Sequence, residues 1–221
     1  FEKFPGADST LGPQMKSVGE VMAIGRTFRE SLGKALRSLE IGRWGFDLDR
    51  VPQLDELKRS IHEPGPDRLW QLAEALRQGL TLDEAYALTA IDPWFLEHLQ
   101  ALVQEDEAAR QDGARLLDDP VSLARRKRMG MSDRRLMKLA GVAEEDVRKA
   151  RLRHGIRPVQ KRVDTCAAEF EAHTPYLYSS YETGNDATPA AESEARPTGK
   201  KKIVILGGGP NRIGQGIEFD Y

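Results

Sequence analysis

Ten consecutive residues, Gly207-Gly208-Gly209-Pro210-Asn211-Arg212-Ile213-Gly214-Gln215-Gly216, have the composition of a loop that can cradle a phosphate. Glycines there let backbone N–H groups approach an anion, and a helix that follows points its positive end at it. The spacing departs from both familiar phosphate-binding patterns. A dinucleotide fingerprint begun at Gly207 and Gly209 needs glycine at 212, where Arg212 stands. Gly209 and Gly214 have the separation of a Walker loop, but Gln215 and Gly216 replace the Lys and the Ser or Thr that hold phosphate and magnesium. Gly207, Gly208, Gly209 and Gly214 are therefore phosphate-loop candidates on composition alone, and a tight strand-to-helix turn is the other reading. No catalytic residue and no metal-ligand set is assigned.

Other residue types with possible chemistry are sparse. Cys166 is the only cysteine, so it makes no internal disulfide and no cysteine metal cluster, which fits a reducing compartment. A small buried side chain is expected there, with a catalytic thiol as the alternative. His62, His98, His154 and His173 lie too far apart for a compact metal-ligand spacing. Trp44, Trp70 and Trp94 are expected as core or interface anchors.

The charge distribution is less bland. Residues 121–162 hold fourteen Lys or Arg against four Asp or Glu, a local +10; the remaining 19 against 31 give −12, and the whole chain carries −2. Within that block, residues 132–158 read as two short helices about a Gly-Val turn with many arginines. Such a pair resembles a helix-turn-helix, which lays its second helix in a major groove. Ordinary helix packing gives the same pattern, and with an overall charge of −2 no nucleic-acid partner is expected.

A glycine loop needs an element to deliver it. Residues 200–206 are a β-branched apolar run that reads as a buried parallel strand opening into the loop and toward a helix. A parallel strand needs neighbours joined through crossovers, which no residue after it supplies, so the chain is expected to be a fragment ending one βα unit into an α/β domain. Residues 27–155 instead punctuate as helices. Thr27 with Glu30 and Thr81 with Glu84 make capping-box patterns, and Asp67 is a candidate cap. Asp92-Pro93 and Asp119-Pro120 are caps followed by proline in the first turn, while Gly42, Gly79, Gly130, Gly141 and Gly155 offer stops. Six to eight helices with short loops predict an all-α bundle. Residues 159–182 have no clean period and are expected as extended chain packed on another surface; residues 183–199 read as a linker with nothing to bury.

With 39% hydrophobic and 31% charged residues the composition is globular. No apolar run approaches the ~20 residues of a bilayer span, and the first residues lack a signal-peptide core. A soluble, cytoplasmic protein with no membrane partner is the expectation.

Three long motifs occur in a telling order. FEKFPGAD with QMKSVGEVMAIGR comes first, KRVDTCAAEFEAHTPYLYSSYE follows the helices, and KKIVILGGGPNRIGQGIEFDY comes last. The chain resembles the large chain of carbamoyl phosphate synthetase. These motifs match the end of its first synthetic half, the segment entering the second, and the opening of that second half. The resemblance implies that residues 1–22 are the edge of the carboxyphosphate domain. Residues 23–194 would be the helical oligomerization domain with its extended segment and linker, and 195–221 the start of the carbamoyl phosphate domain. The fold class implied is mainly α: a helical bundle, then a linker, then the first βα unit of an incomplete α/β domain.

The same resemblance implies an ATP-dependent carbon–nitrogen ligase that makes carbamoyl phosphate from glutamine-derived ammonia, bicarbonate and two ATP, for arginine or pyrimidine supply. ATP with Mg or Mn would serve the full enzyme, and none of them would be bound by this stretch, which is expected to be inactive alone. The implied partners are a small glutaminase chain and further copies through the helical domain. Gly216 and Glu218 would border the family's internal carbamate passage in the second half, and Glu2 in the first. A bulky residue would obstruct what Gly216 leaves open.

Overall fold

The structure, a computed structural model, describes residues 5–17, 19–182, 192–207 and 211–212, the last pair as backbone only. Among them are eight α-helices: α1 Phe28–Ser38, α2 Leu54–His62, α3 Arg68–Arg77, α4 Leu82–Thr89, α5 Pro93–Asp112, α6 Pro120–Arg128, α7 Asp133–Ala140 and α8 Glu144–Arg153. A 3-10 segment, Gly113–Asp118, joins α5 to α6. Four short strands accompany them: β1 Gly19–Glu20, β2 Val159–Arg162, β3 Leu177–Ser180 and β4 Asn211–Arg212. The chain is mainly α, and its helices divide between two compact units. One comprises Ala35–Gln111 with the residues up to Met22 and β4; the other comprises Ala23–Lys34 and Asp112–Gly207.

The first unit is built on α2 to α5. Leu57 and Ile61 lie four apart on α2 and are fully buried, as are Leu72, Ala73 and Ala75 of α3 and Leu96 of α5. Trp70 is buried and its indole N–H donates to the Gly45 carbonyl at 3.0 Å, so the polar edge of the ring is satisfied in the core. Gly79, at φ +99, ends α3 in the left-handed turn, with Leu80 N–H donating to the Ala75 carbonyl at 2.9 Å. The capping box on α4 forms in full: Thr81 Oγ1 accepts from Glu84 N–H at 3.2 Å and Glu84 Oε2 accepts from Thr81 N–H at 3.0 Å. Thr81→Ala should cost about 1 kcal/mol, read as a lower midpoint of urea unfolding with an unchanged slope. Asp92 caps α5 through Trp94 N–H at 2.8 Å. Asp67, in contrast, accepts no capping bond for α3; it pairs with Arg43 at 2.9 Å, because an ion pair is the stronger partner for its carboxylate.

In the second unit, α7 and α8 meet through Gly141 at φ +67, and Ser132 caps α7 through Arg135 N–H at 3.0 Å. Leu123 of α6, Leu136 of α7 and Val147 of α8 are fully buried together with Leu116 of the 3-10 segment. Residues 159–182, expected as extended chain, are strand only at their two ends, Val159–Arg162 and Leu177–Ser180, with turns and bends between them; the two strands form a hairpin that apolar periodicity did not announce. β2 and β3 pair antiparallel with Val159 opposite Ser180 and Arg162 opposite Leu177. The described part of the presumed linker is held down as well. Glu194 N–H donates to the Gln160 carbonyl at 2.8 Å, and Glu194 Oε2 accepts from Arg162 N–H at 2.6 Å. Cys166 is half-buried rather than buried, in a turn where its N–H donates to Asp164 at 2.8 Å.

Two expectations about the tail are corrected. Residues 201–207 have no regular secondary structure and no ladder partner among the described residues, and Ile203, Val204, Ile205 and Leu206 are each at least 83% exposed, so this is no buried parallel strand. Parallel pairing needs neighbours returned through crossovers, and none lies among the described residues. Asn211 and Arg212, expected within the turn toward a helix, instead pair antiparallel with Glu20 and Gly19.

Candidate functional site

The basic block of residues 121–162 is the natural place to look for a site; eight of its fourteen Lys and Arg are exposed, whereas Arg126, Lys127 and Arg135 are buried. Arg126 of α6 is completely buried and its Nη2 donates to Asp112 at 2.5 Å. Its neighbour Lys127, also buried, donates to Asp133 Oδ1 at 2.7 Å, and Arg151 of α8 donates to Asp133 Oδ2 through Nη2 at 3.0 Å and Nε at 3.1 Å. Asp133 thus joins three helices, since it opens α7 while its partners sit on α6 and α8. Tyr181 covers the cluster: Lys127 Nζ stands 4.9 Å from the ring centre and the Arg151 guanidinium 5.9 Å, both over the electron-rich face. Burial pushes the Asp133 carboxyl up, but the charges and hydrogen bonds of Lys127 and Arg151 outweigh it and hold the group below its ordinary value.

A second buried carboxylate organises the start of α1. Glu30 accepts from Arg26 N–H at 2.8 Å and from Ser180 Oγ of β3 at 3.1 Å, and it pairs with Lys34 one turn on at 2.9 Å. Thr27 Oγ1 caps Glu30 N–H at 3.2 Å as the sequence pattern requires, yet the carboxylate reaches past Thr27 to Arg26. Lys34 Nζ completes the contact by donating to the carbonyls of Ile24 and Ser179. Sequence reading missed this hub because Ser180 lies 150 residues away and its strand carried no periodic signal.

The geometry of α7 and α8 does not suit a DNA reader. In a helix-turn-helix the first residues of the second helix meet base edges. Here they are Glu144, Glu145 and Asp146, all exposed, and carboxylates at that end oppose the phosphates on either side. Arg135 of α7 is buried, and Arg134 pairs with Glu144 at 3.2 Å.

Of the candidates taken from the tail, Gly207 is described and exposed at the end of the extended segment. Gly208, Gly209, Gly214, Gly216, Glu218 and Glu2 lie outside the described residues. Among the described residues no group of His, Cys, Asp or Glu is arranged to hold a metal ion. No described helix is long and apolar enough to cross a membrane.

Within the second unit, the ion pairs of Glu30 with Lys34 and of Asp133 with Lys127 and Arg151 are largely buried, and those of Asp133 tie α6, α7 and α8 together. The sequence model of the carbamoyl-phosphate synthetase large chain, oligomerisation domain, matches residues 20–155. The chain belongs to this family. Relatives agree over its whole length: a carbamoyl phosphate synthase large chain of Ralstonia nicotianae is 54% identical over 223 residues, covering 100% of this chain and 20% of the relative. Those of Xanthomonas axonopodis pv. citri and Pseudomonas syringae pv. tomato are 53% and 52% identical, again over 100% of this chain and 20% of each relative. The chain therefore spans about a fifth of the length of the carbamoyl phosphate synthase large chains it matches.

Proposed function

We propose that this chain works as the assembling and connecting domain of a glutamine-hydrolysing carbamoyl phosphate synthetase, in which ammonia, bicarbonate and two ATP become carbamoyl phosphate. The observation that carries the reading is the match of residues 20–155 to the oligomerisation domain, with relatives aligned along the whole chain. Bond-making belongs to the two synthetic halves of the full enzyme. Among the described residues no group of carboxylates is arranged to hold an ATP-bound metal. The domain holds the halves in register, in a cytoplasmic enzyme that serves arginine or pyrimidine synthesis and takes ammonia from a small glutaminase chain. Gly216, Glu218 and Glu2 border the passage for carbamate, an intermediate that survives only where water is excluded.

The test is made on the full-length gene product with its glutaminase chain, measuring glutamine hydrolysis, bicarbonate-dependent ATP use and carbamoyl phosphate. Gly216→Phe should keep the first two and lose the third, whereas Gly216→Ala, which adds one methyl group, should lose much less. Equal loss of every partial reaction in both variants would remove the passage role. A full-length product without bicarbonate-dependent ATP use would remove the synthetase reading itself.

A further inference from the structure

Two surfaces of opposite character remain without a role. On the first unit, Trp94 and Phe95 open α5 and are 50% and 45% exposed. Their rings pack edge to face with centroids 4.9 Å apart, and His98 lies 4.3 Å from Trp94 in the same manner, so the aromatic ridge is held in shape before anything docks on it. Asp92 and Glu97, which flank the ridge in sequence, are exposed, and residues 82–109 include no Lys or Arg; of the other carboxylates in that stretch, Glu84, Asp106 and Glu107 are paired with Lys58, Arg77 and Arg110.

On the second unit, a groove of about 340 Å³ beside α6 is lined by Val121, Ala124, Ile156 and Tyr181 together with Arg128 and Arg157. Both arginines are exposed, and Val121 is 75% exposed. Glu182, the carboxylate at its edge, is engaged by Arg26 at 2.8 Å and Lys161 at 3.6 Å. The volume falls in the range that takes a small-molecule-sized group, which an indole ring is.

We propose that the Trp94–Phe95 ridge of one copy seats in the α6 groove of a second copy, with Asp92 and Glu97 meeting Arg128 and Arg157. The inference rests on the oligomerisation reading and names its surfaces. Half-exposed aromatics with fixed rings are the usual anchors of an interface, and an arginine edge over an indole adds a cation–π contact. Charge decides between the possible pairings: ridge against ridge would set two acidic faces together, at a cost, whereas ridge against groove joins acidic to basic. The ridge exposes roughly 200 Å² of ring surface, a fraction of the ~800 Å² per partner of a stable interface, so it is the anchor and not the whole contact.

The experiment is sedimentation of the 221-residue chain and three variants, with circular dichroism melts to show that each remains folded. Trp94→Ser/Phe95→Ser should weaken self-association about 30-fold or more, and Arg157→Glu should weaken it and flatten its dependence on salt. Glu97→Arg combined with Arg157→Glu should recover association that either change alone loses. The deciding measurement is a mixture: the ridge variant keeps a working groove and the Arg157→Glu variant a working ridge, so the two should associate with each other more tightly than either does with itself. Folded variants that associate as wild type, or a mixture that associates no more tightly than its components, overturn the ridge-to-groove contact and leave the oligomerisation reading standing. A wild-type chain that is monomeric at every attainable concentration overturns both.

Discussion

Replacing Gly130 by alanine should lower the stability of the second unit by about 3 kcal/mol or more, the largest loss from any single methyl group added among the described glycines. Two penalties coincide there. Gly130 follows α6 at φ +91, a backbone shape that costs other residues, and a Cβ built on it would stand 2.9 Å from the Glu30 Cα, 3.0 Å from the Glu30 carbonyl oxygen and 3.1 Å from that of Arg29. All three atoms are backbone of α1, so no side chain can swing aside. The contact is reciprocal: a Cβ on Gly33 would stand 2.9 Å from the Gly130 carbonyl oxygen. Gly141→Ala is the control. It too has positive φ, +67, but its Cβ would meet nothing within 4 Å, so only the backbone term of about 1 kcal/mol applies. Urea unfolding of the two variants separates the terms. Equal losses would mean that the close approach of α1 to Gly130 carries no energy.

That approach illustrates what the sequence announces and what it hides. Gly130 was legible as a stop for α6, because a helix period ends there. Nothing local says that α1 lies against it, since residues 29–33 and 130 are about a hundred positions apart. The same division runs through the caps. Thr81–Glu84 and Ser132 satisfy neighbours within one turn, and both form as their spacing requires. Asp67 and Glu30 follow the same local rules on paper, but long-range partners, Arg43 and Ser180, draw their carboxylates away. The hairpin of β2 and β3 escaped periodicity because β2 is half-buried throughout, while β3 alternates in burial but exposes Leu177 and buries Ser180, the reverse of what hydropathy would mark. The exposed run Ile203 to Leu206 shows the opposite failure. Composition fits a buried strand, but burial depends on neighbours that composition of the run cannot contain.

Removing the Asp133 carboxylate should be as damaging as adding the Gly130 methyl, and it should do so in a pH-dependent way. Asp133→Ala removes the carboxylate that pairs with both Lys127 and Arg151, which are largely buried beneath Tyr181; breaking one side of such a cluster costs about 3–5 kcal/mol at neutral pH. Asp133→Asn keeps the shape and an acceptor oxygen for one of the two cations, so its cost should be smaller but still clear. The sign of the pH effect follows from the direction of the carboxyl's shift. Its folded value lies below the ordinary one, so the stabilisation is fully present above the unfolded carboxyl's value of about 4 and disappears as pH falls through the lower folded value. The gap between wild type and Asp133→Asn should therefore be constant from pH 7 to about 5 and close progressively in acid, while other carboxylates destabilise both proteins alike. Paired urea titrations across that range give the gap directly. A gap that persists unchanged into strong acid would show that Asp133 acts through shape and hydrogen bonding. The three-helix junction would then owe its stability to those hydrogen bonds and to the packing of Leu123, Leu136 and Val147, with no net share from charge.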